Sequence, residues 1–331
     1  MTKRWIKSRK PPQIINESAG ATSARAQGPG SGRPDGVRRG RRFDLDGHPF
    51  WWLFPVSILL AVFYLYPVLE VVRISFTNAT LLNSTYAYTL DSYRSVLADS
   101  ALPRIWLATV IFVAGSVIGQ TALGLLIALT LQAGFRRRLP GVRTVQVVVL
   151  ATWIIPGVAS AITWQLLLSE ASYGFFNAML RQVSLSPVAW LSDSRLAIWS
   201  ATLANIWRGT ALSMILLYAG LQTIPPTLYE AAAVDGATAF QAFRYITLPR
   251  LGPALLVNVV IVSIFSLNTF ELVMPLTGGG PGRSTEVLAL AAYNAVFHDF
   301  SLAQGSVLAV LMLLINLGLT TVYWLTSRGL R

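Results

Sequence analysis

Two charged side chains stand inside long apolar runs, and they are the first candidates for chemistry. Arg208 interrupts the run 196–223, and Glu271 interrupts the run 251–275. A charge in hydrocarbon costs at least about 2.5–3.5 kcal/mol, so such groups face cavities or partners. In the second run Asn258, Ile261, Phe265, Asn268, Thr269 and Leu272 recur at helical spacing and share a face. Rings, hydroxyls and amides on one stripe suit a ligand that stacks on aromatic faces and hydrogen-bonds through hydroxyls, as a sugar does. The same residue types occur where membrane helices pack, so packing stays open for each of them. Helical rise puts Arg208 roughly 18 Å, and Glu271 roughly 6 Å, from the outer ends of their runs. An offset of about 12 Å opposes a direct ion pair unless tilt or shifted boundaries close it.

Other reactive chemistry is sparse. The sequence has no Cys, which excludes disulfides, thiolate metal sites and cysteine nucleophiles. His48 and His298 are too far apart in sequence to suggest a histidine metal cluster, and no metal site is expected. No GxxxxGK[ST] motif offers a cradle for nucleotide phosphates. The run Gly278-Gly279-Gly280 lacks the following Lys and Ser/Thr and reads as a turn. An intramembrane enzyme would need convergent His, Asp, Glu or Ser groups. Only Glu70, Arg208 and Glu271 ionise within or near the apolar runs, so no catalytic residue is assigned.

The elements that must position these residues follow from composition. The chain is 54% hydrophobic and 12% charged, with mean hydropathy +0.56. Soluble domains carry roughly 25% charged residues, so a water-soluble fold of 331 residues is excluded. Six runs, 50–73, 105–133, 144–168, 196–223, 251–275 and 301–326, each exceed the roughly 20 residues a helix needs to cross a bilayer. Spanning backbone must satisfy its own hydrogen bonds, so an all-α membrane protein with six transmembrane helices is expected over 50–327. In the second run, Gly115, Gly119 and Gly124 read as sites of close helix packing. Before the runs, 1–49 hold 11 of the 26 Lys and Arg, and 18–40 are rich in Gly, Ser, Ala, Pro and Arg. This segment reads as a disordered basic cytoplasmic tail near anionic lipid, rather than a secretory signal or a nucleic-acid arm. With the N-terminus inside, inner segments carry 19 Lys and Arg against five outside, and eight against five without the tail. Both termini are therefore expected in the cytoplasm of a multi-pass protein.

The inner segment 224–250 is unlike a simple connector. Pro225-Pro226 ends the fourth run, and Thr227 with Glu230 fits a capping box for a new helix. Gly236 permits a sharp turn. A second short helix, 239–246, is expected to stop before Pro249. The result is a small-residue knob with too little basic charge for a lipid-surface helix, better suited to a protein groove.

The spacing Glu230-Ala231-Ala232, Gly236, then Ile246-x-Leu248-Pro249 resembles the EAA loop of permeases from binding-protein-dependent ABC importers. Leu276-Thr277-Gly278-Gly279-Gly280-Pro281, Trp207-Arg208-Gly209-Thr210 and Gly220-Leu221-Gln222 are similar to segments of the sugar type, the maltose, trehalose and glycerol-3-phosphate class. The resemblance covers roughly 50–325. It implies the type I importer permease fold, a bacterial cell membrane location and a non-catalytic role. The implied partners are a second permease, an ATPase dimer that binds ATP and Mg, an extracytoplasmic substrate-binding protein, membrane lipid and a carbohydrate, with no nucleic acid and no cofactor in this chain. It assigns ATPase coupling to Glu230, Ala231, Ala232, Asp235, Gly236, Ile246, Leu248 and Pro249. Substrate contact falls to Arg208, Gly209, Thr210, Phe265, Ser266, Asn268, Thr269 and Glu271. The competing reading is a stand-alone secondary transporter or channel, which would normally need coupling-ion sites or repeated halves; no clear repeat is visible.

Overall fold

The computed structural model describes residues 49–83 and 85–329; the basic tail at 1–48 lies outside them. Residues Val56–Arg331 make up one body, and Pro49–Pro55 at the end of a separate unit is helical. Among the described residues the regular structure is helical, with one isolated antiparallel bridge, Thr77 to Tyr88.

In chain order the helices are α1 (Pro49–Leu60), α2 (Tyr66–Ser75), α3 (Asp91–Ala98), α4 (Leu102–Arg136), α5 (Val142–Ile154), α6 (Gly157–Leu167) and α7 (Phe175–Gln182). They continue as α8 (Leu196–Gln222), α9 (Pro226–Val234), α10 (Ala239–Ala242), α11 (Leu248–Leu267), α12 (Val273–Thr277), α13 (Leu288–Phe297) and α14 (Leu302–Gly329). Four stretches are long and apolar enough to cross a bilayer: Leu53–Ser75, Leu102–Arg136, Ala239–Leu267 and Leu302–Ser327. Two bent pairs, α5 with α6 and α8 with α9, bring the number to six.

The structure changes three expectations. The run 144–168 is not one straight helix: α5 and α6 meet at 103°. Pro156 drives Ile155 out of the helical region, to φ −66° and ψ 125°. The fifth span starts earlier and stops earlier than 251–275, because α11 ends at Leu267 and the chain turns before α12. The short helix 239–246 does not stop before Pro249. A π-turn, Phe243–Thr247, joins α10 to α11. Leu248 N–H bonds the Phe243 carbonyl there, and Pro249 enters at the first turn of α11, where it needs no donor.

The core is the seam between α4 and α8. Phe112, Ala108 and Ile105 on α4 are buried with Ile198, Ala201 and Ala204 on α8. The glycines of α4 set the approach. A Cβ at Gly115 would lie 2.8 Å from Thr202, and one at Gly119 would overlap Ile206. At Gly124 it would lie 2.9 Å from the backbone of Ser213 and Met214, which cannot move aside as a side chain can. Amides lock the seam. Gln120 Nε2 donates to the Asn205 carbonyl (3.1 Å), and Asn205 Nδ2 donates to Ser116 (2.8 Å) and Ser266 (3.1 Å). Asn258 Nδ2 on α11 donates to Thr121 (2.9 Å).

The glycine run after α12 is a turn, as its composition suggests. Gly278 and Gly279 have φ of +62° and +87°, and the Thr285 hydroxyl donates to the Gly280 carbonyl (2.8 Å). Glu286, buried, pairs with Arg283 and accepts from Asn294 (3.0 Å). That carboxylate raises the Arg283 pKa above its ordinary value. At the end of the first span Glu70 pairs with Arg73, whose Nη1 reaches the Tyr86 hydroxyl at 2.6 Å.

Gly124→Val forces two backbones apart and should destabilise the fold by about 1–3 kcal/mol. Gly252→Ala, with open space around it, should not. Thermal unfolding of the two variants in detergent measures the difference.

Candidate functional site

A cavity of about 250 Å³ opens where α4, α5, α8 and α11 face one another. Seven of the eight residues assigned to substrate contact line it: Arg208, Gly209, Phe265, Ser266, Asn268, Thr269 and Glu271. Thr210 does not. Its buried hydroxyl donates to the Ile206 carbonyl (2.6 Å), as expected for a helical threonine turned toward its own backbone. From the aromatic and amide stripe, Phe265, Asn268 and Thr269 reach the cavity, whereas Asn258 packs on α4 and Leu272 is fully buried.

Sequence patterning missed Gln120, Trp153, Asn205, Leu212, Val262 and Phe270, which complete the lining. Gln120 and Asn205 carried a signal in hindsight, as amides within otherwise apolar runs. Trp153 did not, standing in a charge-free apolar run. Gly209 serves by its lack of a side chain: a Cβ there would overlap the Gln120 amide. The ring of Phe265, 55% exposed, meets Trp153 edge-on with centroids 5.8 Å apart. Two aromatic walls and a rim of amides and hydroxyls border one space; in that rim the Thr269 hydroxyl donates to the Phe265 carbonyl (2.7 Å) and Asn268 Nδ2 to the Ile264 carbonyl (2.7 Å).

Arg208 and Glu271 form a direct ion pair, Nη2 to Oε1 at 2.8 Å. The offset counted along ideal helices does not hold, because the chain leaves α11 at Asn268 and Glu271 sits in the following turn. A third element contacts the pair. A Cβ at Gly157, the first residue of α6, would overlap the Glu271 carboxylate. Helix N-termini carry unpaired N–H groups and partial positive charge, so the carboxylate lies between a guanidinium and the favourable end of α6. Arg208 Nε is buried and has no hydrogen-bond partner.

The second candidate region is the connector from α9 to α11. Thr227 does not cap α9: Pro225 occupies that position, and no side chain caps the helix. The capping box forms instead at Thr238 and Gln241, at the start of α10. Gly236 (φ +74°) ends α9 with its own N–H on the Ala233 carbonyl (3.2 Å) and the Ala237 N–H on the Ala232 carbonyl (2.9 Å). This paired arrangement needs a left-handed residue, which glycine supplies without a Cβ clash. Glu230, Ala231, Asp235 and Pro249 are exposed, while Ala232, Ile246 and Leu248 are half-buried. Leu228, Tyr229 and Ile246 pack against a buried cluster that includes Leu217, Leu221 and Leu251. Tyr229 ties the connector to two spans. Its hydroxyl lies 2.9 Å from the Thr247 hydroxyl, and the Arg136 guanidinium sits 5.1 Å from its ring centroid. Large apolar side chains that sequence reading passed over stand outward: Val234 is 89% exposed, and Phe240 and Tyr245 are each 74% exposed.

Residues 121–331 match the family described as binding-protein-dependent transport system inner membrane component. The chain is 36% identical over 278 residues to the trehalose/maltose transport system permease protein MalF of Thermococcus litoralis, covering 83% of this chain and 92% of that one. The chain belongs to this permease family. A further relative of this permease is the sulfoquinovosyl glycerol transport system permease protein SmoG of Agrobacterium fabrum, 31% identical over 82% of this chain and 87% of that protein. The fold matches a chain of a bacterial ABC transporter involved in the import of alginate, with TM-score 0.72, 23% identity, and coverage of 85% of this permease and 96% of that chain. The permease is thus a multi-pass membrane component of a transport system.

Tyr229→Phe removes one hydroxyl contact and should cost about 0.5–1.5 kcal/mol. Tyr229→Ala also loses the ring beneath Arg136 and should cost roughly 2 kcal/mol or more. Unfolding midpoints of the two purified variants test the order.

Proposed function

We propose that this chain is the transmembrane subunit of an ABC importer that carries a carbohydrate into the cytoplasm by alternating access. The observation that carries the reading is the cavity between crossing helices, walled by Trp153 and Phe265 and rimmed by Gln120, Asn268 and Thr269. Rings stack on the apolar faces of sugars, and amides and hydroxyls bond their hydroxyl groups. The names of relatives, which include a trehalose/maltose permease and the diacetylchitobiose uptake system permease DasB of Streptomyces coelicolor, support that class. Di- and oligosaccharides and glycerol-3-phosphate all fall within it.

Energy enters through other chains. ATP and Mg are held by a pair of partner ATPase subunits, and this chain takes no catalytic part. The knob from α9 to α10 docks in a groove on one of them, with Val234 and Phe240 supplying apolar contact beside Ala231 and Ala232. Gly236 fixes the turn between the two helices, and Glu230 and Asp235 present charge to the partner. Ile246 and Leu248 anchor the knob to the span, and Pro249 sets the first turn of α11. A second permease completes the pathway, as do an extracytoplasmic binding protein and the surrounding lipid of a bacterial cell membrane. A solved relative, a bacterial alginate ABC transporter in complex with an alginate pentasaccharide-bound periplasmic protein, supports such an assembly. Both termini and the knob lie in the cytoplasm.

Reconstitution with the partner subunits tests this proposal. One or more sugars in a panel should stimulate ATP hydrolysis and accumulate in vesicles; uptake by the chain alone, driven by an ion gradient, would overturn it. Gly236→Val places a branched residue at a left-handed position, a strain of roughly 1–2 kcal/mol. The variant should insert normally yet lose sugar-stimulated hydrolysis, which a colorimetric phosphate assay reads.

A further inference from the structure

The carbohydrate reading leaves open whether the cargo is charged, and the cavity bears on that question. Its lining holds one cation and one anion, Arg208 and Glu271, and these are paired at 2.8 Å. The pair is not presented evenly. The Arg208 side chain is 20% exposed, whereas that of Glu271 is 46% exposed. More of the carboxylate than of the guanidinium is therefore open to contact. Gly157 at the start of α6 closes on that carboxylate from another side, so its position is built by three elements of the fold. The remaining polar lining, Gln120, Asn268 and Thr269 among it, is uncharged.

We propose that the Arg208–Glu271 pair is a charge filter that restricts the cavity to uncharged carbohydrates, with Glu271 as the specificity-determining residue. This inference rests on the carbohydrate-importer reading. Without Glu271, Arg208 would be a lone guanidinium in a low-dielectric site, suited to clamp a carboxylate or phosphate on the cargo. With Glu271 in place that role is filled by the chain itself. The exposed carboxylate then accepts hydrogen bonds from sugar hydroxyls and repels an acidic substituent. Selection of this kind works by an added repulsion as much as by attraction. Sugar phosphates, glycerol phosphate and uronic acids are excluded on this basis, and neutral mono- or disaccharide units are accepted.

The test uses the complete importer complex in nanodiscs and equilibrium dialysis of labelled probes. The neutral probes are glucose, maltose, trehalose and N-acetylglucosamine; the anionic probes are glucuronate, glucose 6-phosphate and glycerol 3-phosphate. The wild type should bind at least one neutral probe tenfold or more tightly than any anionic one, about the effect of one unfavourable charge contact. Glu271→Gln should raise affinity for an anionic probe by about tenfold, and Glu271→Asp should keep the wild-type ranking. The double variant Arg208→Gln with Glu271→Gln removes both charges. It should lack the anionic gain of Glu271→Gln, which separates a charge effect from a packing effect. Anionic binding by the wild type at neutral-probe affinity would overturn the filter and leave the carbohydrate reading standing. So would an unchanged ranking in a Glu271→Gln variant that still binds the neutral probe. Binding of no probe at all by the wild type would count against the carbohydrate reading itself, and the filter would fall with it.

Discussion

The close approach of α4 and α8 is the constraint on which the rest of the structure depends. Gly124 lies against the backbone of α8, and Gly119 against the Ile206 side chain, so α4 contributes no side chain of its own at these two contacts. That contact has a polar consequence. At such distances, amides on one helix reach across to the other: Gln120 bonds the Asn205 backbone carbonyl, and the Asn205 amide bonds the Ser116 hydroxyl. A buried amide left unpaired in hydrocarbon is expensive, so each bond also fixes the register of the seam. Gly209 then leaves room for Gln120, and the cavity opens beside it.

Breaks in the helices supply what straight helices could not. Pro156 splits the third span and offers Gly157 and the first turn of α6 to Glu271. The end of α11 at Leu267 places Glu271 in a turn, where it meets Arg208. Irregular backbone at membrane depth is tolerated where it is covered by protein or lines a cavity, and both breaks border the cavity. Replacing one partner of such a pair with an uncharged residue strands the other. For a fully buried pair that costs roughly 3–5 kcal/mol, and less here because Glu271 is nearly half exposed.

Much of this was legible in the sequence, and the misses share a physical cause. Helical content, the apolar spans and the packing role of Gly115 and Gly119 follow from composition and spacing, which act locally. The turn at Gly236 and the run at Gly278 were readable because positive φ is a property of one residue. Most of the cavity lining assigned on α8 and α11 came together as the resemblance implied, yet Thr210 did not, because a helix places neighbours on different faces. Straight-helix counting separated Arg208 from Glu271 and joined α5 to α6. Both errors arise where a proline or a helix end breaks the uniform rise that the counting assumes. The capping box was assigned to Thr227 because Thr-x-x-Glu fits there. Pro225 and Pro226 occupy the start of that helix instead, and Thr238 with Gln241 forms the box.

The π-turn at Phe243–Thr247 has a mechanical consequence. It carries the helix into Pro249, and Ala239–Leu267, with Pro253 inside it, is one continuous helix of 29 residues, about 43 Å long at helical rise. One end of the helix carries the outward ring of Phe240, and the other carries Phe265, Ser266 and the turn with Glu271. In the importer proposed above, a push on the near tip would reach the far tip through this continuous helix. Asn258, held to Thr121 about two-thirds of the way along, is where that helix is tied to α4.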